Sequence, residues 1–195
     1  MKIAIIDYGA GNIQSIEFAL ERLGYRAVFT KDEAEIRQAD KVIFPGVGEA
    51  SSAMDKLQST GLDKVIPRLT QPVLGICLGM QLMCGENEEG PTQGLSIFDA
   101  PVLRFPNSVK VPQIGWNQIT DLDSPLFDGI DPDSYVYLVH SFYIPESAYA
   151  ISSSQYGLSY TTALRKDNFY GVQFHPEKSS KTGAQILLNF LTKCE

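Results

Sequence analysis

Histidine, cysteine and tryptophan are scarce in these 195 residues, with two, three and one copies respectively. Positive charge is also short: 16 Lys and Arg face 23 Asp and Glu, for a net charge of −7, and no Lys/Arg-rich run occurs. A surface of that sign repels phosphate backbones and anionic headgroups, so neither a nucleic acid nor a membrane is an expected partner. Long apolar runs are missing. The longest charge-free stretch, residues 69–85, is too short to span a bilayer and carries Gln71, Pro72 and Gln81. The chain opens on MKIAIIDY, a strand-like run, which leaves no expected room for a signal or transit peptide. An odd number of cysteines in such a chain fits a reducing cytosol better than a disulfide framework, and the expected location is the cytoplasm. A metal site needs three or four clustered ligands, and the few histidines and cysteines have no such spacing, so none is expected. Gly9-x-Gly11 after the first strand has the look of a dinucleotide loop. Position 14, however, is Gln where the fingerprint needs Gly, and the carboxylate wanted about 20 residues on has no convincing strand-end position. No cofactor is expected.

What is present is enough apolar surface for a folded core. A hydrophobic fraction of 44% excludes disorder, and a chain of this length buries about 70% of its unfolded surface without a disulfide or metal staple. At roughly 150 residues per domain, one domain over residues 1–195 is expected. Apolar runs at 3–6, 27–29, 42–44 and 73–76 alternate with helical patterns, the signature of a parallel sheet. Ile13, Ile16, Leu20 and Leu23 fall at helical spacing, with Gly24 placed to end that helix. Asp32 with Glu35 resembles a capping box, and Ser51 or Ser52 is a candidate cap for a helix running to about Ser59. A helix through Met80 and Met83 follows the fourth strand. From Leu95 the pattern changes to short apolar segments, at 102–105, 135–142 and 160–164, which read as antiparallel strands and loops. Five aspartates between Asp121 and Asp133 read as a solvated loop. Residues 170–174 form another strand, and a closing helix carries Ala184, Leu187, Leu188 and Leu191 on one face. The expected fold is α/β in three layers, a mainly parallel central sheet with helices on both faces and a smaller antiparallel portion in the second half.

The scarcity of reactive side chains keeps the catalytic search short. Cys77 sits in Gly75-Ile76-Cys77-Leu78-Gly79, between a strand and a helix. Glycines two residues to either side permit a sharp turn that projects the middle side chain, the backbone logic of a nucleophile elbow. A helix N-terminus favours thiolate over thiol, and the Leu78 N–H would be free to meet an oxyanion. A small buried cysteine flanked by glycines for tight helix–sheet packing remains an alternative on this pentapeptide alone. Phe174-His175-Pro176-Glu177 tips the balance. A strand delivers His175 at its end, and Glu177 can orient the imidazole, completing a nucleophile, base and orienter. Cys84 reads as core and the penultimate Cys194 as frayed.

These two motifs resemble those of the triad-type glutamine amidotransferases. Asp7-Tyr8-Gly9-Ala10-Gly11-Asn12, Pro45-Gly46-Val47-Gly48, Gly115-Trp116-Asn117, His140-Ser141-Phe142-Tyr143 and Lys178-Ser179 narrow the resemblance to the glutaminase subunits of imidazole glycerol phosphate synthase. The segments occur in family order over essentially the whole chain. The resemblance implies glutamine hydrolysis to glutamate and ammonia, with the ammonia passed to a separate (β/α)₈ cyclase subunit in a heterodimer of histidine biosynthesis. It makes Cys77 the nucleophile, His175 the proton carrier and Glu177 its orienter. Leu78, Gly46 and Val47 would serve the oxyanion, and Gly48, Gln81, Ser141 and Phe142 the substrate. Asn12, Trp116, Asn117 and Lys178 would face the partner. One departure is Gln113, where the family pattern has His; it is expected to affect only contacts near the partner surface.

Overall fold

The computed structural model describes residues 1–9 and 13–194. Its first half runs β1 (Ile3–Ile6), α1 (Ile13–Arg22), β2 (Ala27–Thr30), α2 (Glu33–Arg37), β3 (Lys41–Phe44), α3 (Ala50–Thr60), α4 (Leu62–Val65), β4 (Val73–Ile76) and α5 (Leu78–Leu82). The second half adds short strands: β5 (Glu86–Asn87), β6 (Thr92–Gln93), β7 (Leu103–Arg104), β8 (Gln113–Gln118), β9 (Tyr135–His140) and β10 (Phe142–Tyr143). It then returns to the main sheet with β11 (Ala150–Gln155), β12 (Ser159–Lys166) and β13 (Phe169–Val172), and closes with α6 (Ser180–Lys193).

Seven strands form the central sheet in the order β11-β12-β13-β4-β3-β1-β2. The five from β13 to β2 are parallel, and β12 and β11 extend that edge antiparallel. Successive strand side chains point to opposite faces, so apolar runs this continuous need cover on both sides. Ala4, Ile6, Val42, Phe44 and Val73 pack with Ile36 of α2, Ala53 and Leu57 of α3 and Leu62 of α4. Ile3, Ile5, Ile43, Leu74 and Val172 pack on the other face with Leu20 of α1 and Ile186, Leu187 and Phe190 of α6. Each such aliphatic side chain contributes about 1.5–3 kcal/mol, which holds the strand ends, and hence the site, in fixed register. The three layers and the smaller antiparallel portion are those expected. The latter includes the β8–β9 hairpin, whose Val136 and Leu138 join the α1/α6 core.

Local signals mostly read correctly. The Asp32 carboxylate accepts from the Glu35 N–H at 2.9 Å and caps α2. Ser51 and Ser52 do not cap α3, which already begins at Ala50; the Ala50 N–H is taken by the Glu89 carboxylate, 3.2 Å away. Of the four residues expected on the buried face of α6, Leu187 and Leu191 are buried and Ala184 and Leu188 only partly so; Gly183, Ile186, Asn189 and Phe190 complete the buried stripe. The helix is rotated because Gly183 lies against the Pro176 carbonyl, where a Cβ would come within 1.9 Å. Cys194 is not frayed: it is buried in the core, and its carbonyl accepts from Lys41 Nζ. Burial pushes its thiol pKa up, with Tyr170, Lys41 and Arg165 opposing. The five aspartates are exposed, as a solvated loop requires. Among the described residues no three His, Cys, Asp or Glu are grouped to hold a metal ion, and no helix is long and apolar enough to cross a membrane.

Candidate active site

Cys77 stands between β4 and α5 at φ 53, ψ −111, a backbone state costly for a residue with a Cβ. The surroundings impose it. Its N–H donates to the Val172 carbonyl at 2.8 Å, and its carbonyl accepts from the N–H groups of Met80 and Gln81 at 3.1 and 3.2 Å. The flanking glycines are there for close approach. A Cβ on Gly79 would lie 2.0 Å from the Phe44 carbonyl oxygen, one on Gly75 2.3 Å from Met83 Cε, and one on Gly46 2.6 Å from the Gly79 nitrogen. The 45–48 segment is therefore pressed against the first turn of α5. At the first helical position, the Leu78 N–H has no intrahelical acceptor.

His175 lies just past β13. Its N–H donates to the Tyr137 carbonyl at 2.9 Å, and its own carbonyl accepts from the Ser179 hydroxyl at 2.7 Å. Its Nδ1 faces Glu177 Oε1 at 2.8 Å, so Nε2 is left for the sulfur. Burial works against a charged ring here. Hydrogen bonds to Cys77 and Glu177, and the charges of both, outweigh it and push the pKa up to about 10. The side chain of Glu177 is sequestered from solvent.

Around this pair lies a cavity of about 390 Å³. Val47, Gly48, Cys77, Leu78, Gln81, Ser141, Phe142, His175 and Lys178, all named from the sequence, line it. Glu177 sits behind His175, and Gly46 packs beneath the cavity. Trp116 and Asn117 are not in the lining; they lie on β8, where Trp116 is half exposed and Asn117 Nδ2 donates to the Gln155 carbonyl at 2.9 Å. Asn12 lies outside the described residues.

The structure places at the site residues to which the sequence reading gave no role there. Glu89 lines the cavity half-buried; burial pushes its pKa up, the Ala50 N–H opposes that, and the nearby Glu49 charge adds to it. Its only sequence signal is an acidic run, which ordinarily means a solvated loop. His140 lines the opposite wall, its pKa pushed down to about 4 by burial, against the hydrogen bond to Phe142 and with the charge of His175 lowering it further. Its Nδ1 lies 2.7 Å from the Phe142 carbonyl, which can only accept, so the neutral ring carries its proton there. The end of the Gln113 side chain stands 3.1 Å from its Nε2 and 3.0 Å from the Tyr160 hydroxyl; a bare Nε2 needs a donor, so that end must be the NH₂, with the Tyr160 oxygen accepting from it. Gln113 is thus buried under the cavity wall, not at an outer surface as its place in the motif suggested. Gln173, wholly buried, reaches the sulfur from behind, with Nε2 3.8 Å from Cys77 Sγ. An amide inside an otherwise apolar strand end was its available signal.

A buried Cys–His–carboxylate set on a strand-to-helix elbow, opening into a cavity of amino-acid size, defines a class of acyl-transfer enzyme. The family model of glutamine amidotransferase class-I matches residues 4–194, and the chain belongs to that family. Within it, the chain is 53% identical to the imidazole glycerol phosphate synthase subunit HisH of Bacteroides thetaiotaomicron, over 98% of this chain and 99% of that protein. It is 47% identical to the subunit of the same name from Haemophilus influenzae, over 99% and 98%. Among solved structures, a glutamine amidotransferase shares the fold with a TM-score of 0.76 at 16% identity, covering 97% of this chain and 96% of its own. PurLQS from Thermotoga maritima does so with a TM-score of 0.74 at 16% identity, covering 97% of each chain.

Proposed function

We propose that this chain is the ammonia-producing subunit of an imidazole glycerol phosphate synthase, acting as one unit over its whole length in the cytoplasm. It hydrolyses the side-chain amide of glutamine and hands the ammonia to a (β/α)₈ cyclase subunit. The cyclase joins it to a phosphoribulosyl formimino aminoimidazole carboxamide ribotide, giving imidazole glycerol phosphate and an aminoimidazole carboxamide ribotide. The observation that carries the reading is Cys77 on its strained elbow beside a His175 whose Nδ1 is held by Glu177.

The chemistry follows from that arrangement. The thiol proton passes to His175 Nε2, and the sulfur attacks the amide carbon. Negative charge on the amide oxygen is met by the Leu78 N–H and by a backbone N–H from the 46–48 segment across the cavity. His175 then gives its proton to the departing nitrogen, the C–N bond breaks, and ammonia leaves a thioester on Cys77. Water, deprotonated by His175, attacks the thioester; glutamate departs and the thiol is restored. The α-ammonium of glutamine fits Glu89, whose raised pKa a neighbouring cation would bring down. Ser141 and Phe142 flank the remaining end of the substrate.

The partner fits the outer face of the β8–β9 hairpin. Ile114, Trp116 and Tyr135 are exposed there, and Trp116 meets Tyr137 edge-on at 6.0 Å between ring centres. Exposed aromatic and aliphatic side chains beside a cavity mouth, with the Lys178 cation on its rim, have the composition of an interface core. The deciding experiment measures glutamine hydrolysis by the chain alone and with cyclase, using the parent protein and Cys77→Ala. Absence of glutamine turnover in the parent complex refutes the reading. Loss of ammonia-supplied synthesis in a folded Cys77→Ala complex refutes the division of labour.

A further inference from the structure

We propose that Gln173 is a further catalytic residue of this amide hydrolysis, its side-chain N–H donating to the Cys77 sulfur and Gln81 holding it in that orientation. The inference rests on the reading of the site as a glutaminase and adds a donor to it.

Gln173 is two residues before His175 and fully buried. A primary amide is costly to bury unless both of its ends find partners. Its main-chain N–H donates to the Thr162 carbonyl at 2.8 Å, which fixes the backbone. Its Oε1 stands 2.9 Å from Gln81 Nε2, and its Nε2 3.8 Å from Cys77 Sγ. The two ends of an amide are told apart by their partners, and here the partners decide. The Phe142 carbonyl can only accept, and it stands 2.7 Å from His140 Nδ1 and 3.2 Å from Gln81 Nε2. Gln81 must therefore present its NH₂ to Phe142. The second N–H of that group meets Gln173, which must answer with Oε1. The remaining end of Gln173, its NH₂, then faces the sulfur. A backbone carbonyl thus sets the orientation of two amides in turn.

The donor suits a group that changes from thiol to thiolate. As a thiol, Cys77 points its S–H at the Val139 carbonyl, 3.8 Å away. Once that proton has moved to His175, the sulfur can only accept, and the Gln173 N–H is already in place. Gln173 makes and breaks no covalent bond; it stabilises the charged sulfur before attack and again when the thioester collapses. Gln81 consequently acts on the nucleophile through Gln173, besides lining the cavity.

The test is the second-order rate of Cys77 alkylation by 4-vinylpyridine, a probe with no carboxamide, on the full chain between pH 6 and 9. Peptide mapping assigns the label, and unreactive Cys84 marks an intact core. Gln173→Met keeps the length and removes the donor; it should slow alkylation at pH 7 by roughly tenfold, the scale of one charge-assisted hydrogen bond. Gln81→Met should slow it by about threefold, by freeing Gln173 to turn, with no further loss in the double variant. Should Gln173→Met expose Cys84, Gln173→Asn replaces it, since the shorter amide cannot reach both partners. Rates within twofold of the parent in Gln173→Met or Gln173→Asn overturn the proposal, and an unchanged rate in Gln81→Met overturns the holding role. Because the probe reads only the thiol, failure here is distinct from absence of glutamine turnover, which would strike the glutaminase reading instead.

Discussion

The two walls of the cavity each contribute a buried histidine, and they hold them in opposite states. On the elbow side, His175 faces a carboxylate and a sulfur and has its pKa pushed up to about 10, with burial overcome. On the hairpin side, His140 faces a carbonyl and an amide and has its pKa pushed down to about 4, with burial dominant. Burial alone would make both neutral. The difference lies in the partners, because only negative partners compensate a desolvated imidazolium. One wall is thus built to carry a proton and the other to keep one fixed at Nδ1, where it anchors the Phe142 carbonyl.

The sharpest way to break this contrast is to remove each ring. His175→Gln should lower glutamine-dependent synthesis by about 10³-fold or more, as triad losses do, while synthesis from free ammonia persists in the complex. His140→Gln should cost far less, about tenfold, because it acts through the Phe142 carbonyl. Equal losses in the two variants, measured with both nitrogen sources, would erase the assigned division between the walls.

A second contrast separates rigid from adjustable parts. The elbow is locked by glycines at van der Waals limits, whereas across the cavity Val47 is exposed and Gly48 holds φ +99. Past Gly46, which is itself packed against α5, the Val47–Gly48 peptide is open on its outer side and can turn its N–H toward or away from the oxyanion. One such donor is worth about 10²–10³ in rate. Binding of the cyclase with its nucleotide ligand should raise glutamine turnover by about that factor over the isolated chain. Equal kcat for the chain alone, with cyclase, and with liganded cyclase would eliminate the switch.

What was legible in the sequence follows the same division between local and tertiary contacts. Strands and the elbow were, because apolar runs and Gly-x-Cys-x-Gly act locally. His175 and Glu177 were, because two residues apart they can be read as a pair. Ser141 and Phe142 of the second wall came only from the family resemblance, and the buried amides on either side did not come at all: Gln113 meets Tyr160 from 47 positions away, and Gln173 meets Gln81 from 92. Such pairings are made by tertiary packing, and no local periodicity encodes them. Cys194 failed for a related reason, since what buries it is α6 docking on the sheet and the hold of Lys41 on its carbonyl.

The histidines also predict opposite pH slopes in stability. His140 has its folded pKa lowered from 6.5 to about 4, so between those values the unfolded chain binds the proton that the folded chain refuses. Stability should fall as pH drops through that window, by at most about 1.4 kcal/mol per pH unit. His175 has its folded pKa raised from 6.5 to about 10; its contribution is complete below 6.5 and is lost as pH rises toward 10. Urea unfolding from pH 4 to 10 should give a maximum near neutrality. His140→Gln should flatten the acid limb only, and His175→Gln the alkaline limb only. A variant that flattened the other limb would reverse the assignment.

The smallest effect concerns the surface beyond both walls. Trp116 is 52% exposed on β8, so it contributes little to the fold, and its ring rests edge-on against Tyr137. Tyr137 is also the residue whose carbonyl receives the His175 N–H and whose own N–H donates to the Ser179 hydroxyl at 2.9 Å. A partner pressing on Trp116 therefore touches a strand that holds the base. Trp116→Ala should weaken cyclase binding by about 1–2 kcal/mol, roughly five- to thirtyfold in Kd, the scale of one interface aromatic. Raising the cyclase concentration should then restore the full glutamine-dependent rate, because docking is weakened and the triad is untouched. A titration that saturates at a lower plateau would mean that Trp116 also transmits to His175, and an unchanged Kd would move the interface off the hairpin.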